Sequence, residues 1–263
     1  MNLEVQDLKV LTYNIRLDTN SDGENSWIYR KEAFCNQVKK IDADVVGLQE
    51  VMPTQLEYIS KTLSKYEVVS LGREVNDGGE SSPILFCKKR FNLLEQSTFW
   101  LSETPDVVSM GWDAACNRVC TYVKLYDKKA KQTIWVFNTH LDHVGVKARC
   151  NGLILIKNRI AELTEPNQKV ILMGDFNITP NDECLKPLQD DFFDTRAISI
   201  KSPEGLENSF TGFQSKVSTN RIIDHIYIRK TSAPKVKSHR IIDELSKGKF
   251  ISDHFPVLAI LSY

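Results

Sequence analysis

The sequence predicts an α/β protein with a large antiparallel component, built as two packed sheets. Short apolar runs rich in Val, Ile and Tyr recur along the whole chain. Amphipathic helical patterns separate some of these runs. From Lys88 to Gln132 the runs follow one another with no helix between them, which is the mark of consecutive antiparallel strands.

The strand-like runs are LKVLTYNI, ADVVGLQE, PILFC, RVCTYVKLY, QTIWVFNTH, KVILMGD, IIDHIYI and FPVLAILSY. Each has strand length and is β-branched or aromatic in character. Residues 27–41 read as a helix with Ile28, Phe34, Val38 and Ile41 on or near one face. Residues 54–63 and 146–163 are also helix-like, the latter placing Leu153, Ile156, Ile160 and Leu163 three and four residues apart. Asn76-Asp77-Gly78-Gly79 and Asp127-Lys128-Lys129 read as turns.

The chain has 263 residues, within reach of one domain, and 41% of them are hydrophobic, enough for a sizeable core. It carries no internal repeat or low-complexity linker, so one domain over 1–263 is expected. No apolar run reaches membrane-spanning length, and MNLEVQDLKVLTYN lacks the pattern of a signal peptide, so a soluble chain is expected. Lys and Arg balance Asp and Glu at 34 each, which counts against a bulk nucleic-acid binder. Residues 229–249 are locally basic (Arg229, Lys230, Lys235, Lys237, Arg240, Lys247 and Lys249) and read best as a solvated strand edge and loop. The six cysteines have no zinc-site spacing; Cys87, Cys120 and Cys184 are read as buried thiols, with no dependence on disulfides.

The chemistry is written at the strand ends. VLTY ends on Asn14, VVGLQ on Glu50, IWVFNT on His140, and VILMG on Asp175 with Asn177 two residues on. RII leads into Asp224, and Ser252-Asp253-His254 precedes the last strand. Strand ends bring residues distant in sequence to one rim of a sheet, where ligands bind. Taken singly, each is an ordinary turn carboxylate, cap or hydrogen-bonded core histidine. Six together suit phosphate-ester hydrolysis, which needs neutralised phosphoryl oxygens, a positioned water and help for the leaving oxygen. Mg²⁺ takes such oxygen ligands. Zinc is a rival because His140 and His143 form HxxH, but HExxH is absent and oxygen donors dominate.

The ordered set TYN, LQEV, NTHLD, GDFN, IDHIY and SDHFPV resembles the endonuclease/exonuclease/phosphatase superfamily, over Thr12 to Val257. The resemblance implies a four-layer α/β sandwich with two central, largely antiparallel mixed sheets flanked by helices. It implies a Mg²⁺-dependent phosphoesterase in which Mn²⁺ substitutes. Glu50 matches the principal metal ligand, Asn14 the residue supporting the metal and phosphate site, and Asp253 a neighbouring ligand. Asp175 and Asn177 match the pair that orients water and phosphate. His254 matches the catalytic histidine, Asp224 the carboxylate that orients it, and His140 a histidine at the phosphate or leaving group. Asp142 and His143 have no matched role. Near Asp224 the sequence TNRIIDHIY departs from the WCDRIL-type signature of inositol 5-phosphatases, and the basic loops of an abasic-site endonuclease are missing. Trp100, Trp112 and Arg118 are candidates for lining a substrate cleft, although both tryptophans serve equally as packing residues. The substrate stays open among nucleic acid, nucleotide, sugar phosphate and lipid head group. A non-catalytic binding protein on the same fold is the rival outside enzymes.

Overall fold

The structure is a computed structural model that describes residues 7–215 and 220–263. The chain begins with β1 (Asp7–Asn14), α1 (Trp27–Ile41), β2 (Val45–Gln49), α2 (Pro53–Thr62) and β3 (Tyr66–Val69). A short hairpin, β4 (Gly72–Glu74) and β5 (Gly78–Ser81), leads to β6 (Ile84–Cys87), β7 (Phe91–Trp100), β8 (Val119–Asp127) and β9 (Gln132–His140). Then come α3 (Val146–Leu163), β10 (Lys169–Asp175), the short α4 (Lys186–Gln189) and β11 (Phe192–Asp194). The chain closes with β12 (Asp224–Arg229), β13 (Lys235–Ile241) and β14 (Val257–Ser262).

Two six-stranded sheets form, in the orders β13-β14-β1-β2-β6-β3 and β11-β12-β10-β9-β8-β7. Each contains one parallel pair, β1 with β2 and β9 with β10, and is otherwise antiparallel. A parallel pair sends both of its strands out at the same rim. In the first sheet Asn14 pairs with Gln49 at that rim, one residue before Glu50. In the second, Asp175 pairs with His140 on one side and with Asp224 on the other.

Strand alternation sorts the apolar side chains into layers. Along β1, Leu8 and Val10 face the second sheet, in a core with Val136, Ile171, Met173 and Ile226. Leu11 and Tyr13 face the other way, against Phe34, Val38 and Ile59 of α1 and α2. On the far side, Phe137, Leu172 and Tyr227 pack on Leu153, Ile156 and Ile160 of α3. The layers run helix, sheet, sheet, helix, the architecture expected from the sequence.

A buried polar link crosses between the sheets. Asn138 of β9 donates to the carbonyls of Leu48 (2.8 Å) and Pro83 (2.9 Å), and its Oδ1 accepts from Gln49 Nε2 at 2.7 Å. Gly47 makes room for it: a Cβ there would lie 2.6 Å from Met173 and 2.7 Å from Asn138 Oδ1.

Three expectations change. Ile28 is 58% exposed, because the buried face of α1 is set by Trp27, Arg30, Phe34 and Val38 and Ile28 turns away from it. Cys184 is not a free thiol: it is joined to Cys150 across α3 and the turn at 183–185, with 4.6 Å between their Cα atoms. Sequence spacing does not reveal such a pair, since packing brings the two together. Cys87 is half-buried, whereas Cys35 and Cys120 are buried thiols. Of the basic segment, Lys235, Lys237 and Arg240 fall on β13, the edge strand of its sheet, where lysines discourage further strand pairing.

Replacing Asn138 with Leu strands two buried carbonyls and should cost about 3 kcal/mol. A urea titration reads this as a lower midpoint at unchanged slope; an unchanged midpoint would show that the cross-sheet link is not stabilising.

His239 on β13 tests acid stability. Its Nδ1 lies 3.0 Å from Thr195 Oγ1, which itself donates to the Ile226 carbonyl, so the ring is a neutral donor. Burial, aided by Arg196, pushes its pKa down to about 3. Above pH ~6.5 both folded and unfolded forms are neutral there. Between ~6.5 and ~3 only the unfolded chain takes the proton, so stability falls by about 1.4 kcal/mol per pH unit from this group. A His239→Gln variant should lose that increment of slope in unfolding titrations from pH 7 to 4; an identical slope would exclude the assignment.

Candidate active site

The rim where both parallel pairs end gathers residues from six separate parts of the chain. Asn14 is wholly buried, and its Nδ2 donates to Glu50 Oε1 and to Asp175 Oδ2, each at 2.9 Å. Its Oδ1 accepts from Arg16 N at 3.0 Å. In this arrangement the amide nitrogen faces the two carboxylates and holds their positions. Glu50 leaves β2 in the left-handed region (φ 61°), and its Oε2 accepts from Leu17 N at 3.0 Å.

Asp175 lies at the centre. Its Oδ1 accepts from Asn177 N at 2.9 Å, while its Oδ2 lies 3.4 Å from His140 Nε2 and 3.6 Å from His254 Nε2. The glycine of GDFN makes this register possible. At Gly174 (φ 150°) a Cβ would collide with the Thr139 carbonyl on the neighbouring strand. Asn177, also left-handed (φ 51°), turns its amide to His140 Nε2 and the Leu141 carbonyl, both at 3.1 Å.

His254 Nδ1 is 2.8 Å from Asp224 Oδ2. Phe210 meets the ring edge-on at 4.9 Å. The loop before His254 is tied to β1 by Ser252 Oγ, which donates to the Asn14 carbonyl at 2.8 Å. Arg30 of α1, 3% exposed, bridges the Ile15 and Ile251 carbonyls at 2.9 and 2.8 Å and secures the same junction.

The two histidines are driven to different protonation states, His254 charged and His140 neutral. Burial would lower His254, but the charges of Asp224 and Asp175 outweigh it and lift its pKa to about 10. Burial and the Arg118 charge hold His140 well below the ordinary histidine value. Burial, then the Asp224 charge, raises Asp175. Burial and the Glu50 charge raise Asp253.

The donor chemistry suits a hard divalent cation. Asp175, Asp224 and His254 form a group whose candidate ligand atoms lie within 4.8 Å of one another. Among the described residues Asp224 Oδ1 is buried with no hydrogen-bond partner, and the buried Asp253 carboxylate accepts from Ser252 Oγ at 3.3 Å. These carboxylate oxygens retain acceptor capacity, and carboxylate oxygen is the donor Mg²⁺ prefers. His140 and His143 do not share a group. His143 is exposed beside Cys116 and Asp142, where the Arg118 guanidinium already contacts Asp142 (3.3 Å) and His143 (2.9 Å).

Arg118 lines the cleft between Glu50 and His140, as do Arg73, Glu80 and Asn117. Trp100 and Trp112 do not line it. Trp100 is buried, and its indole N–H donates to the Arg73 carbonyl at 2.8 Å; Trp112 is half-buried on the loop before Arg118. Asp142 is a structural knot, accepting from the backbone of Ala115, Val144 and Gly145 as well as from Arg118. Sequence reading missed Arg73 and Glu80, which flank the turn read at Asn76-Asp77-Gly78-Gly79. It also missed Arg16, paired with Asp22 at 2.9 Å and 3.9 Å from Glu50.

This fold and rim define a class of phosphoesterases and nucleases. The profile of the Endonuclease/Exonuclease/phosphatase family matches residues 11–254, and the chain belongs to that family. It is an enzyme of the phosphate-ester-cleaving kind. A family protein from Bacteroides thetaiotaomicron superposes with a TM-score of 0.92 at 30% identity, covering 99% of each chain. A mannosyl-6-phosphatase from the same organism superposes with a TM-score of 0.89 at 30% identity, covering 97% of this chain and 99% of that one. Human tyrosyl-DNA phosphodiesterase 2 is 27% identical over 172 residues, 64% of this chain and 41% of that protein. Among the described residues, no helix is long and apolar enough to cross a membrane.

Replacing His254 with Gln should reduce turnover by about 10²–10⁴-fold, the range for a lost proton-transfer or charged hydrogen-bonding group. Asp224→Asn keeps an acceptor beside His254 and should cost no more. Turnover of His254→Gln near that of the parent, with circular dichroism unchanged, would remove the histidine from the reaction.

Proposed function

We propose that the protein is a Mg²⁺-dependent phosphoesterase, with Mn²⁺ able to substitute, that hydrolyses its substrate by attack of water on phosphorus. One observation carries this reading: Asp175 is fixed by the Asn14 amide and the Asn177 backbone while facing two histidines, one protonated and one neutral. Such a carboxylate is an oriented acceptor for the proton of an attacking water. His254, held by Asp224, presents a charged N–H to a phosphoryl oxygen. His140 and Asn177 bracket the opposite side of the phosphate, and Arg118 adds a fixed positive charge at the cleft wall. A divalent cation held by Glu50 and Asp253 would neutralise charge on the phosphoryl oxygens. The mannosyl-6-phosphatase and the phosphodiesterase among the similar proteins support phosphorus as the point of attack.

Metal titration separates the two carboxylates. Glu50→Gln weakens the ion's site, so raised Mg²⁺ or Mn²⁺ should recover part of the rate. Asp175→Asn removes the water's acceptor, so its defect should persist at saturating metal and fall on turnover, not on substrate affinity. Full rescue of Asp175→Asn with none for Glu50→Gln would reverse the roles. Equal rescue would show that both hold the ion.

A further inference from the structure

Arg118 stands directly before β8, is 5% exposed and lines the cleft beside His140. Two consecutive residues just beyond His140 hold its guanidinium. Nε donates to Asp142 Oδ2 at 3.3 Å, and Nη2 donates to His143 Nδ1 at 2.9 Å. A guanidinium has donors only, so Nδ1 of His143 is the acceptor and the ring proton lies on Nε2. Asp142 is itself immobile, because its carboxylate also accepts from the backbone of Ala115 (3.1 Å), Val144 (2.9 Å) and Gly145 (2.7 Å). Its carbonyl accepts from Arg149 of α3 at 3.0 Å. His143 is exposed, and its side chain makes one hydrogen bond among the described residues, the one with Arg118. The Nη1 end of Arg118 meets no acceptor among the described residues and is left to the cleft. After burial, the Arg118 charge is the largest influence holding His140 neutral, which places the guanidinium close to that ring.

We propose that His143 is a positioning residue for the reaction: with Asp142 it clamps the Nε–Nη2 edge of Arg118 and leaves the Nη1 end to donate to the phosphate at His140. This rests on the phosphoesterase reading above and adds to it a residue that acts only through Arg118. One contact to Asp142 would let a long side chain pivot about that oxygen. A second contact on a different nitrogen removes the pivot, and a planar guanidinium held at two points presents its remaining donors in a fixed direction. Fixed direction matters because a charged group displaced by about 1 Å from its working position can lose most of its effect on turnover. The candidate ligand atoms of Cys116, Asp142 and His143 lie within 4.8 Å of one another, and the guanidinium is the positive charge that stands among them. What the clamp requires of His143 is an acceptor at Nδ1, two bonds out from Cβ. The amide oxygen of an asparagine stands at the same distance along the side chain, whereas leucine fills the volume with no acceptor.

The test is a double-mutant cycle on the full chain with Mg²⁺, using the best substrate from a panel of phosphate mono- and diesters. His143→Leu should lower kcat/KM by about 10–100-fold, the cost of a misplaced charged group. His143→Asn should stay within about threefold of the parent, because it keeps the acceptor. In an Arg118→Met background, His143→Leu should change kcat/KM by less than about twofold, since the group it positions is gone. Calorimetric affinity for inorganic phosphate, a readout that needs no turnover, should weaken in His143→Leu and hold in His143→Asn. Equal losses in the Leu and Asn variants would make His143 merely structural and overturn the clamp. So would a full His143→Leu loss on top of Arg118→Met, or unchanged kcat/KM and phosphate affinity in His143→Leu. A parent that neither cleaves any phosphate ester nor binds inorganic phosphate with Mg²⁺ or Mn²⁺ would overturn the phosphoesterase reading itself, and the clamp with it.

Discussion

The amide of Asn14 is the contact on which the rim depends. It ends a strand of one sheet and donates to carboxylates that belong to different sheets, Glu50 and Asp175, at equal distances of 2.9 Å. Two like charges brought together out of water repel strongly, because a low dielectric strengthens Coulomb forces. A donor shared between them offsets part of that repulsion and sets their separation. Asn14 is itself held from behind, since its carbonyl accepts from Ser252 and its amide oxygen accepts from Arg16 N. The last loop, the first strand and the centre of the second sheet are thereby joined through one side chain.

Electrostatics then divides the labour between residues of one kind. His140 and His254 both contact Asp175, yet Asp224 stands against His254 while Arg118 stands near His140. Opposite neighbours push the two imidazoles apart in protonation, so one is a charged donor and the other a neutral ring. Widely separated pKa values among neighbouring groups are the usual sign of acid and base assignments. Burial is essential to this, because solvent would screen the differences.

The scaffold that permits the arrangement carries a polar link between the two sheets. Gly47 and Asn138 let backbone and amide pack where two apolar side chains would force the sheets apart, and the link lies under the strands that end at the rim. The helices contribute less to the chemistry than to alignment. Arg30 alone reaches from α1 to the carbonyls on either side of the site, and its burial between Trp27 and Phe213 keeps it there.

Much of this was legible in the sequence. Strand alternation and helical periodicity are local properties, so α1, α2 and α3 fall within a residue or so of where their patterns place them. The strand-end motifs marked Asn14, Glu50, His140, Asp175, Asp224 and His254, because a strand that stops on a polar group announces itself in a few residues. What the sequence left unwritten depends on contacts between distant segments. Cys150 meets Cys184 only when α3 packs on the following turn, and Trp100 becomes a support for Arg73 only when the hairpin lies against β7. Arg73 and Glu80 flank a turn and carry no local pattern that marks them. Their position beside Glu50 and His140 is fixed by sheet packing. The sequence thus determined the elements and the polar residues at their ends. Tertiary structure alone decided which of those residues share a proton, a charge or a cleft, because burial and distance, which govern electrostatic coupling, exist only once the sheets have come together.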